Sequence, residues 1–199
     1  MMPEGIVLIV WSEPERVESD LLSGVVVCPS CSGRLGGWGF ARWRVLRSEA
    51  GPVALRPRRA RCRSCRSTHV LLPDAVLARR VDTVAVIGAA LGAAAAGAGF
   101  RKAAERVGRP ASTVRGWLRR FRAVAVRVAV FFAAWAHRLD PMLGTVAPAG
   151  SPVADAVEAI GVAARAASLR LGPRPPWSWV SVLTVGGLLA NTNTPWLAP

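Results

Sequence analysis

Four cysteines in this chain form two Cys-x-x-Cys pairs, a residue type and spacing suited to holding a metal ion. The pairs read CPSC and CRSC, and about 30 residues separate them. Two such turns can offer four thiolates to one Zn²⁺ in a tetrahedron. Four thiolates leave no coordination position for water, so the pattern predicts one structural zinc ion with these ligands: Cys28, Cys31, Cys62 and Cys65.

Other interpretations of these cysteines fit the sequence less well. Two structural disulfides would need an oxidising compartment, and the first residues do not read as a secretory signal. A redox motif would need one pair at the start of a helix within a βαβ unit, a context that neither pair has. His69 lies four residues after Cys65; it is either a substitute ligand or, more ordinarily, a histidine of a β-hairpin.

The segment between the two pairs predicts the strands that would hold them. Residues 37–47 show a roughly alternating apolar pattern, and the SEAGP stretch at 48–52 is typical of a turn. Residues 53–61 then return toward Cys62, and residues 68–72 read as a third short strand. The sequence therefore predicts a zinc ribbon over residues 25–76.

Positive charge is concentrated in the middle of the chain. The formal net charge is +14; residues 25–80 hold twelve arginines against two acids, and residues 81–140 hold ten basic groups against three acids. Such clustering favours a polyanionic partner, most simply nucleic acid. Arginine richness alone is weaker support, because a GC-rich genome would also produce it.

A second motif, FRKAAERVGRPASTVRGWLRRF at residues 100–121, predicts a helix-turn-helix. Gly108 suits the turn, because a residue without Cβ readily adopts positive φ. The second helix would read bases in the major groove of double-stranded DNA, and flanking basic residues would contact phosphates. The predicted base-reading set is Ser112, Thr113, Arg115, Gly116 and Arg119, and the predicted phosphate-binding set is Arg101, Lys102, Arg120 and Arg122.

The alternative interpretation of residues 100–121 is a basic helical hairpin that binds nothing, and Arg109 stands where many such motifs place an apolar residue. Before this block, residues 77–99 are predicted to form a packing helix. They are mostly Ala and Gly, so a membrane span is not expected there. The second helix of the motif is predicted to continue to about Leu139, where Asp140-Pro141 stops it.

The predicted fold class is α+β: a small β-rich zinc ribbon, then a mainly helical helix-turn-helix domain and a helical or irregular tail. An N-terminal strand and short acidic helix are expected over 1–24, the ribbon over 25–76 and the helix-turn-helix domain over 77–140. The remainder, 141–199, is expected to begin with a helix from Ser151-Pro152 to about Leu171. Residues 177–190 read as an apolar strand or helix, and 191–195 as a loop.

Both cysteine pairs, the LARRVD stretch that follows them and the 100–121 block together resemble an uncharacterised bacterial domain-of-unknown-function family that combines a zinc ribbon with a helix-turn-helix. Its members are similar to the DNA-binding N-terminal regions of insertion-sequence transposases. The resemblance implies zinc at the four cysteines and DNA contact through the second helix. It implies no established activity.

The chain itself is not expected to be an enzyme. Strand transfer of the transposase type uses three carboxylates around two metal ions, and after the motif only Asp140, Asp155 and Glu158 remain as acids. The histidines, His69 and His137, suit no Ser-His-Asp or Cys-His arrangement. We therefore expect a cytoplasmic, nucleoid-associated protein that binds specific DNA sequences, as a transcriptional regulator or as a mobile-element accessory.

On this expectation the ribbon arginines bind phosphates in a salt-sensitive manner: Arg56, Arg58, Arg59, Arg61, Arg63 and Arg66. The alternative function is an adaptor that binds a protein partner such as a transposase, and whose arginines form only a solvated face. In either case the apolar 121–139 stretch suits a homodimer or partner contact. A membrane protein is the least favoured alternative.

Overall fold

A β-rich N-terminal region precedes several helices in the computed structural model, which describes residues 7–190, so the mixed α+β class is confirmed. The loop predicted at 191–195, the end of the tail and the first residues of the N-terminal strand lie outside the described residues. The elements are β1 (Val7–Val10), α1 (Pro14–Ser23), β2 (Leu35–Phe40), β3 (Arg44–Ser48), β4 (Gly51–Leu55), β5 (Arg58–Cys62), β6 (Thr68–Pro73), α2 (Val84–Ala95), α3 (Phe100–Val107), α4 (Ala111–Leu139), α5 (Pro152–Leu171) and α6 (Pro176–Leu183).

The main sheet has four strands in the order β1-β6-β5-β2. β1 runs parallel to β6, and the other two pairings are antiparallel. Helix α1 packs on one face, where Val17 and Leu21 join Leu35 and Leu71 in a buried cluster. The N-terminal strand and acidic helix are therefore part of the same layered structure as the cysteine-bearing strands.

β3 and β4 form a separate two-stranded hairpin that covers part of the opposite face of the sheet. Leu46 of the hairpin packs with Leu72 and Val76. The roughly alternating pattern over 37–47 is divided between β2 and β3, because β2 ends at Phe40 after a bulge with Gly39 at φ +71°. The return strand is likewise divided at Arg56-Pro57, between β4 and β5.

Helix α2 begins at Val84, not at residue 77 as predicted. The preceding backbone pairs with the hairpin instead: Arg47 N donates to Val81 O at 2.8 Å, and Thr83 N donates to Arg47 O at 3.1 Å. Non-local strand pairing thus satisfies the polar groups that a longer helix would have used. It also places the hairpin directly against the first turn of the helical region.

The helical core is built around α4 and α5. Phe121 and Phe132 of α4 are fully buried, and α5 contributes mainly alanines and Ile160. Small side chains on one helix let two helix axes approach closely. With 29 residues, α4 is about 43 Å long at 1.5 Å per residue. Among residues 7–190, no helix has both the length and the apolarity to cross a bilayer.

Helix α6 connects the helical core to the sheet. Ser181 Oγ donates to Val76 O at 2.7 Å, and the ring of Trp177 lies against Gly88 of α2. Just before α6, Arg174 forms an ion pair with the buried Asp74 at the end of β6. These contacts hold the C-terminal segment on both halves of the structure.

Candidate functional site

The four cysteine sulfurs come together in one cluster. All four Sγ atoms lie within 4.8 Å of one another, with 3.6 Å between Cys28 and Cys65 and 3.5 Å between Cys31 and Cys62. Four thiolates at the usual Zn–S bond length of about 2.3 Å would lie about 3.8 Å apart in a tetrahedron. The cluster therefore fits a metal ion, as the cysteine spacing predicted.

The two cysteine turns share a backbone design. In the first, Ser32 N donates to Cys28 O at 2.8 Å, and Cys28 N donates to Gly33 O at 2.9 Å. The residue after the second cysteine is left-handed in both turns, with φ +56° at Ser32 and +63° at Arg66. Each Cys-x-x-Cys turn therefore folds back on itself, and this directs its two side chains toward the same point.

Hydrogen bonds to the sulfurs shift their pKa values in opposite directions. The Ser67 hydroxyl and amide lower the pKa of Cys65 to about 6, and the Cys65 amide lowers the pKa of Cys62. At Cys31 the amide of Gly33 lowers the pKa, but hydrogen bonds with Cys62 and Cys65 outweigh it and raise the value to about 11. The sulfurs thus compete for protons that a bound cation would replace.

His69 lies beside the cluster but is not a member of it. Its side chain is buried, and Nε2 lies 3.4 Å from Cys28 Sγ, while Nδ1 has no hydrogen-bond partner among the described residues. Among the four sulfurs, the histidine is within hydrogen-bonding distance of that of Cys28. In the sequence, its position four residues after Cys65 was the feature that pointed to the cluster. In the structure, its contact with Cys28 Sγ fits a residue that binds a metal ligand and not the metal itself.

The 100–121 block forms two helices joined by a tight turn. α3 ends at Gly108, which has φ +61°, and α4 begins three residues later. Ala103 and Ala104 of α3 are buried, as are Val114 and Trp117 of α4. Small residues on the first helix therefore allow the bulky residues of the second to pack closely against it.

Arg109, in the turn between α3 and α4, is bound by the sheet region. Its Nε donates to Asp82 Oδ1 at 2.6 Å, and its Nη2 donates to Ser48 O at 3.0 Å. Asp82 is buried and also accepts from Arg47 at 2.8 Å. This arginine cross-links the helical turn to the β3–β4 hairpin, a role that its position in the motif did not reveal.

The predicted DNA-contacting residues of the helical block differ in their exposure. The exposed members lie at the start of α3 and in the first half of α4, whereas three others are half-buried. Arg120 Nη1 donates to Gly116 O at 3.2 Å. Exposed are Arg101, Lys102, Ser112, Arg115, Arg119 and Arg122, and half-buried are Thr113, Gly116 and Arg120.

The predicted phosphate-binding arginines of the strand region are also divided. Arg58 is ion-paired with Glu18 at 2.5 Å and donates to Gly39 O, so its charge is used inside the structure. Arg56 is exposed and lies over the rings of Phe40 and Trp43. Of the others, Arg63 and Arg66 are exposed, and Arg59 and Arg61 are half-buried.

Residues 28–117 match a family described as Domain of unknown function (DUF6431). The match runs from the first cysteine to the buried Trp117, so it includes both cysteine pairs, α2, α3 and the start of α4. Neither a curated protein nor a solved structure shows significant similarity to this chain. The cysteine cluster, α3 and the first residues of α4 therefore lie within one matched region.

Proposed function

We propose that this chain is a non-catalytic, sequence-specific DNA-binding protein that uses a structural zinc ion and a helix-turn-helix. The observation that carries the proposal is an exposed basic stripe on α4, directly after its tight turn with α3. The biological context we favour is a transcriptional regulator or a protein associated with a transposase.

The stripe follows the helical repeat. Ser112, Arg115, Arg119 and Arg122 are spaced three or four residues apart and are all exposed, so they lie along one face of α4. The opposite face is buried in the helical core. Major-groove readers place the N-terminal residues of such a helix against base edges, and arginine is the commonest side chain to contact guanine there.

Electrostatics support the same surface. α4 contains six arginines and no acidic residue between Ala111 and Leu139. Arg101 and Lys102 add exposed positive charge at the start of α3. A duplex carries one negative charge per about 1.7 Å of its axis, so a stripe of this kind can bind phosphates on both sides of a groove.

In this proposal zinc stabilises the platform and takes no part in chemistry. The four sulfurs would form a closed shell, which is the arrangement of structural sites. The metal would join the turn that carries Cys28 and Cys31 to Cys62 at the end of β5 and to Cys65 in the following turn. The adjacent hairpin is bound to the α3–α4 turn through Arg109 and Asp82. Zinc would thereby keep a rigid support behind the DNA-binding helices.

An alternative function, a protein-interaction adaptor with only non-specific affinity for polyanions, draws on a different part of α4. Val126 and Val130 are 63% and 66% exposed and lie one turn apart on the middle of the helix. Exposed apolar pairs of this kind favour contact with a second copy of the chain or with a transposase-type partner. Substitutions at Val126 and Val130 leave the basic stripe unchanged, so the two surfaces can be tested separately.

The test measures duplex binding by fluorescence anisotropy over a range of salt concentrations. Arg115→Ala with Arg119→Ala should weaken binding strongly and reduce the discrimination between duplex sequences. Arg165→Ala with Arg170→Ala, which removes the same charge from exposed positions on α5, is the matched control and should retain discrimination. Equal losses in the two double variants would contradict base reading by α4 and leave a charge effect only.

A second pair of variants tests the adaptor alternative. Val126→Ser with Val130→Ser should leave duplex affinity per bound chain unchanged and should lower any self-association measured by sedimentation. Loss of DNA discrimination in this variant, with the basic stripe intact, would favour a role in which contacts between copies create the DNA-binding surface.

A further inference from the structure

The β5–β2 side of the main sheet carries half-buried arginines and an exposed tryptophan. The β3–β4 hairpin packs on the β1–β6 half through Leu46, which contacts Leu72. Arg59 and Arg61 are two residues apart on β5, so they point to the same face, and both are half-buried. Next to them, at the β2 edge, lies Trp38, which is 51% exposed.

A depression of about 350 Å³ opens at this edge. Gly36 and Gly37 of β2 form part of its lining, and the place of a Cβ on Gly37 is occupied by the Arg58 guanidinium. A tryptophan ring and guanidinium groups form its walls. The residues that line it are Gly36, Gly37, Trp38, Arg61, Cys62, Arg63 and Arg66.

The charge around the depression is positive and not neutralised. No acidic residue occurs between Glu49 and Asp74 or between Asp20 and Glu49. Among the described residues, Arg61, Arg63 and Arg66 take part in no ion pair. The Arg61 guanidinium lies 4.6 Å from the Trp38 ring centroid, an arrangement that helps to orient the indole.

We propose that this depression binds an unpaired nucleotide of a single-stranded nucleic acid. The base stacks on the exposed indole of Trp38, and the phosphates are bound by Arg63 and Arg66. An aromatic ring beside a positively charged groove is the combination that single-strand binders use, since every base offers a π-face. The size is that of a small-ligand site, at the lower end of about 300–1,000 Å³.

The single-stranded form follows from the geometry of stacking. Inside a duplex both faces of each base are covered by its neighbours, and a side chain can reach only the base edges. Trp38 presents a ring and no extended hydrogen-bonding edge. The inference does not depend on the duplex-reading role proposed for α4, because its residues lie on β2, β5 and the second cysteine turn.

The test uses the full-length, zinc-loaded chain and a fluorescein-labelled 12-nucleotide oligothymidine, with oligouridine and a mixed-sequence duplex as further probes. Trp38→Ala should weaken oligonucleotide binding about tenfold or more, as loss of one base stack does. Trp38→Phe should retain most of the affinity, whereas Trp38→Leu, which keeps apolar area but no π-face, should lose it. Zinc content and far-UV circular dichroism check that each variant is folded.

Two matched controls locate the effect. Trp43→Ala removes another exposed tryptophan, outside the depression, and should leave the affinity unchanged. Arg115→Ala with Arg119→Ala should impair duplex binding and spare oligonucleotide binding, so failure of the duplex proposal is distinguishable from failure of this one.

Oligothymidine and oligouridine compare a DNA strand with an RNA strand, and binding of either supports the site. Equal affinity of wild type and Trp38→Leu, or an equal loss in Trp43→Ala, would overturn the proposal. Arg63→Ala with Arg66→Ala should make the dependence of affinity on salt shallower. An unchanged salt dependence would show that these two arginines do not bind the phosphates.

Discussion

Asp82 should be the most sensitive charged residue in the connection between the strand region and the helices. Its carboxylate is only 4% exposed and accepts hydrogen bonds from Arg109 at 2.6 Å and from Arg47 at 2.8 Å. The Arg109 side chain is 14% exposed, whereas that of Arg47 is 45% exposed. Asp82→Ala therefore leaves one arginine nearly buried without its counter-charge and another that water can still solvate.

The difference in exposure sets the expected order of effects. Breaking a buried pair by removing one partner costs about 3–5 kcal/mol. Because water can solvate the exposed Arg47 guanidinium once its partner is removed, we expect Asp82→Ala to cost about 3 kcal/mol. Arg109→Ala leaves Asp82 paired with Arg47 but removes the donor to Ser48 O, so we expect about 2 kcal/mol, within the range for charged hydrogen bonds. Arg47→Ala should cost less than about 1 kcal/mol, as exposed pairs do.

Urea unfolding of the zinc-loaded variants, followed by circular dichroism at 222 nm, measures these free energies. A double-mutant cycle between Asp82 and Arg109 should show a coupling energy well above that between Asp82 and Arg47. Equal losses for Arg47→Ala and Arg109→Ala would contradict a cost that arises from the buried guanidinium of Arg109. A loss below about 1 kcal/mol for Asp82→Ala would show that the buried pair contributes no net stability.

Three further predictions concern packing and the metal site. Gly88→Ala should destabilise the fold by about 1–3 kcal/mol, since the added Cβ would overlap the Trp177 ring. Gly92→Ala, whose Cβ would have no atom within 4 Å, should stabilise α2 by up to about 1 kcal/mol. Urea melts in which both substitutions change the free energy of unfolding in the same direction would contradict this. His69→Ala should weaken zinc binding about tenfold or more, because it removes the imidazole that contacts Cys28 Sγ. Competition with a chromogenic chelator measures the zinc affinity, and an unchanged affinity would assign the histidine to packing alone. In the metal-free protein the folded-state pKa of Cys65 is lowered from 9.0 to about 6. Its thiolate therefore stabilises the fold fully above the unfolded pKa of 9.0, and this contribution is lost as pH falls through about 6. The free energy of unfolding of the metal-free protein, measured by urea melts, should fall over this range, and a constant value from pH 9 to pH 6 would contradict the assignment.

Local sequence signals located the elements whose ends are marked by special residues. The helix expected from Ser112 to Leu139 is α4, because Pro110 and Asp140-Pro141 act within a few residues of its ends. Ser151 accepts from Ala154 N at the start of α5, so that helix also begins where expected. The clustering of the cysteine sulfurs was likewise predictable, since two short turns and one ion limit the possible geometry.

Features that depend on distant parts of the chain were not predictable in this way. The parallel pairing of β1 with β6 joins strands about 60 residues apart, and no local pattern encodes such a partner. The segment before Val84 has apolar residues at helical spacing, but its backbone pairs with Arg47 instead. The role of Arg109 could not be predicted from the 100–121 block, because its acceptors, Asp82 and Ser48 O, are distant in sequence.

If α4 reads DNA sequence, selection of bound sequences from a random duplex library should reveal its preference. The selection uses zinc-loaded protein near physiological salt, with Arg115→Ala and the exposed α5 variant Arg165→Ala in parallel. We predict a recovered motif that is retained by Arg165→Ala and loses definition at one or two positions in Arg115→Ala. Recovery of no motif, with binding that disappears as salt rises, would contradict sequence reading and leave a protein that binds polyanions by charge alone.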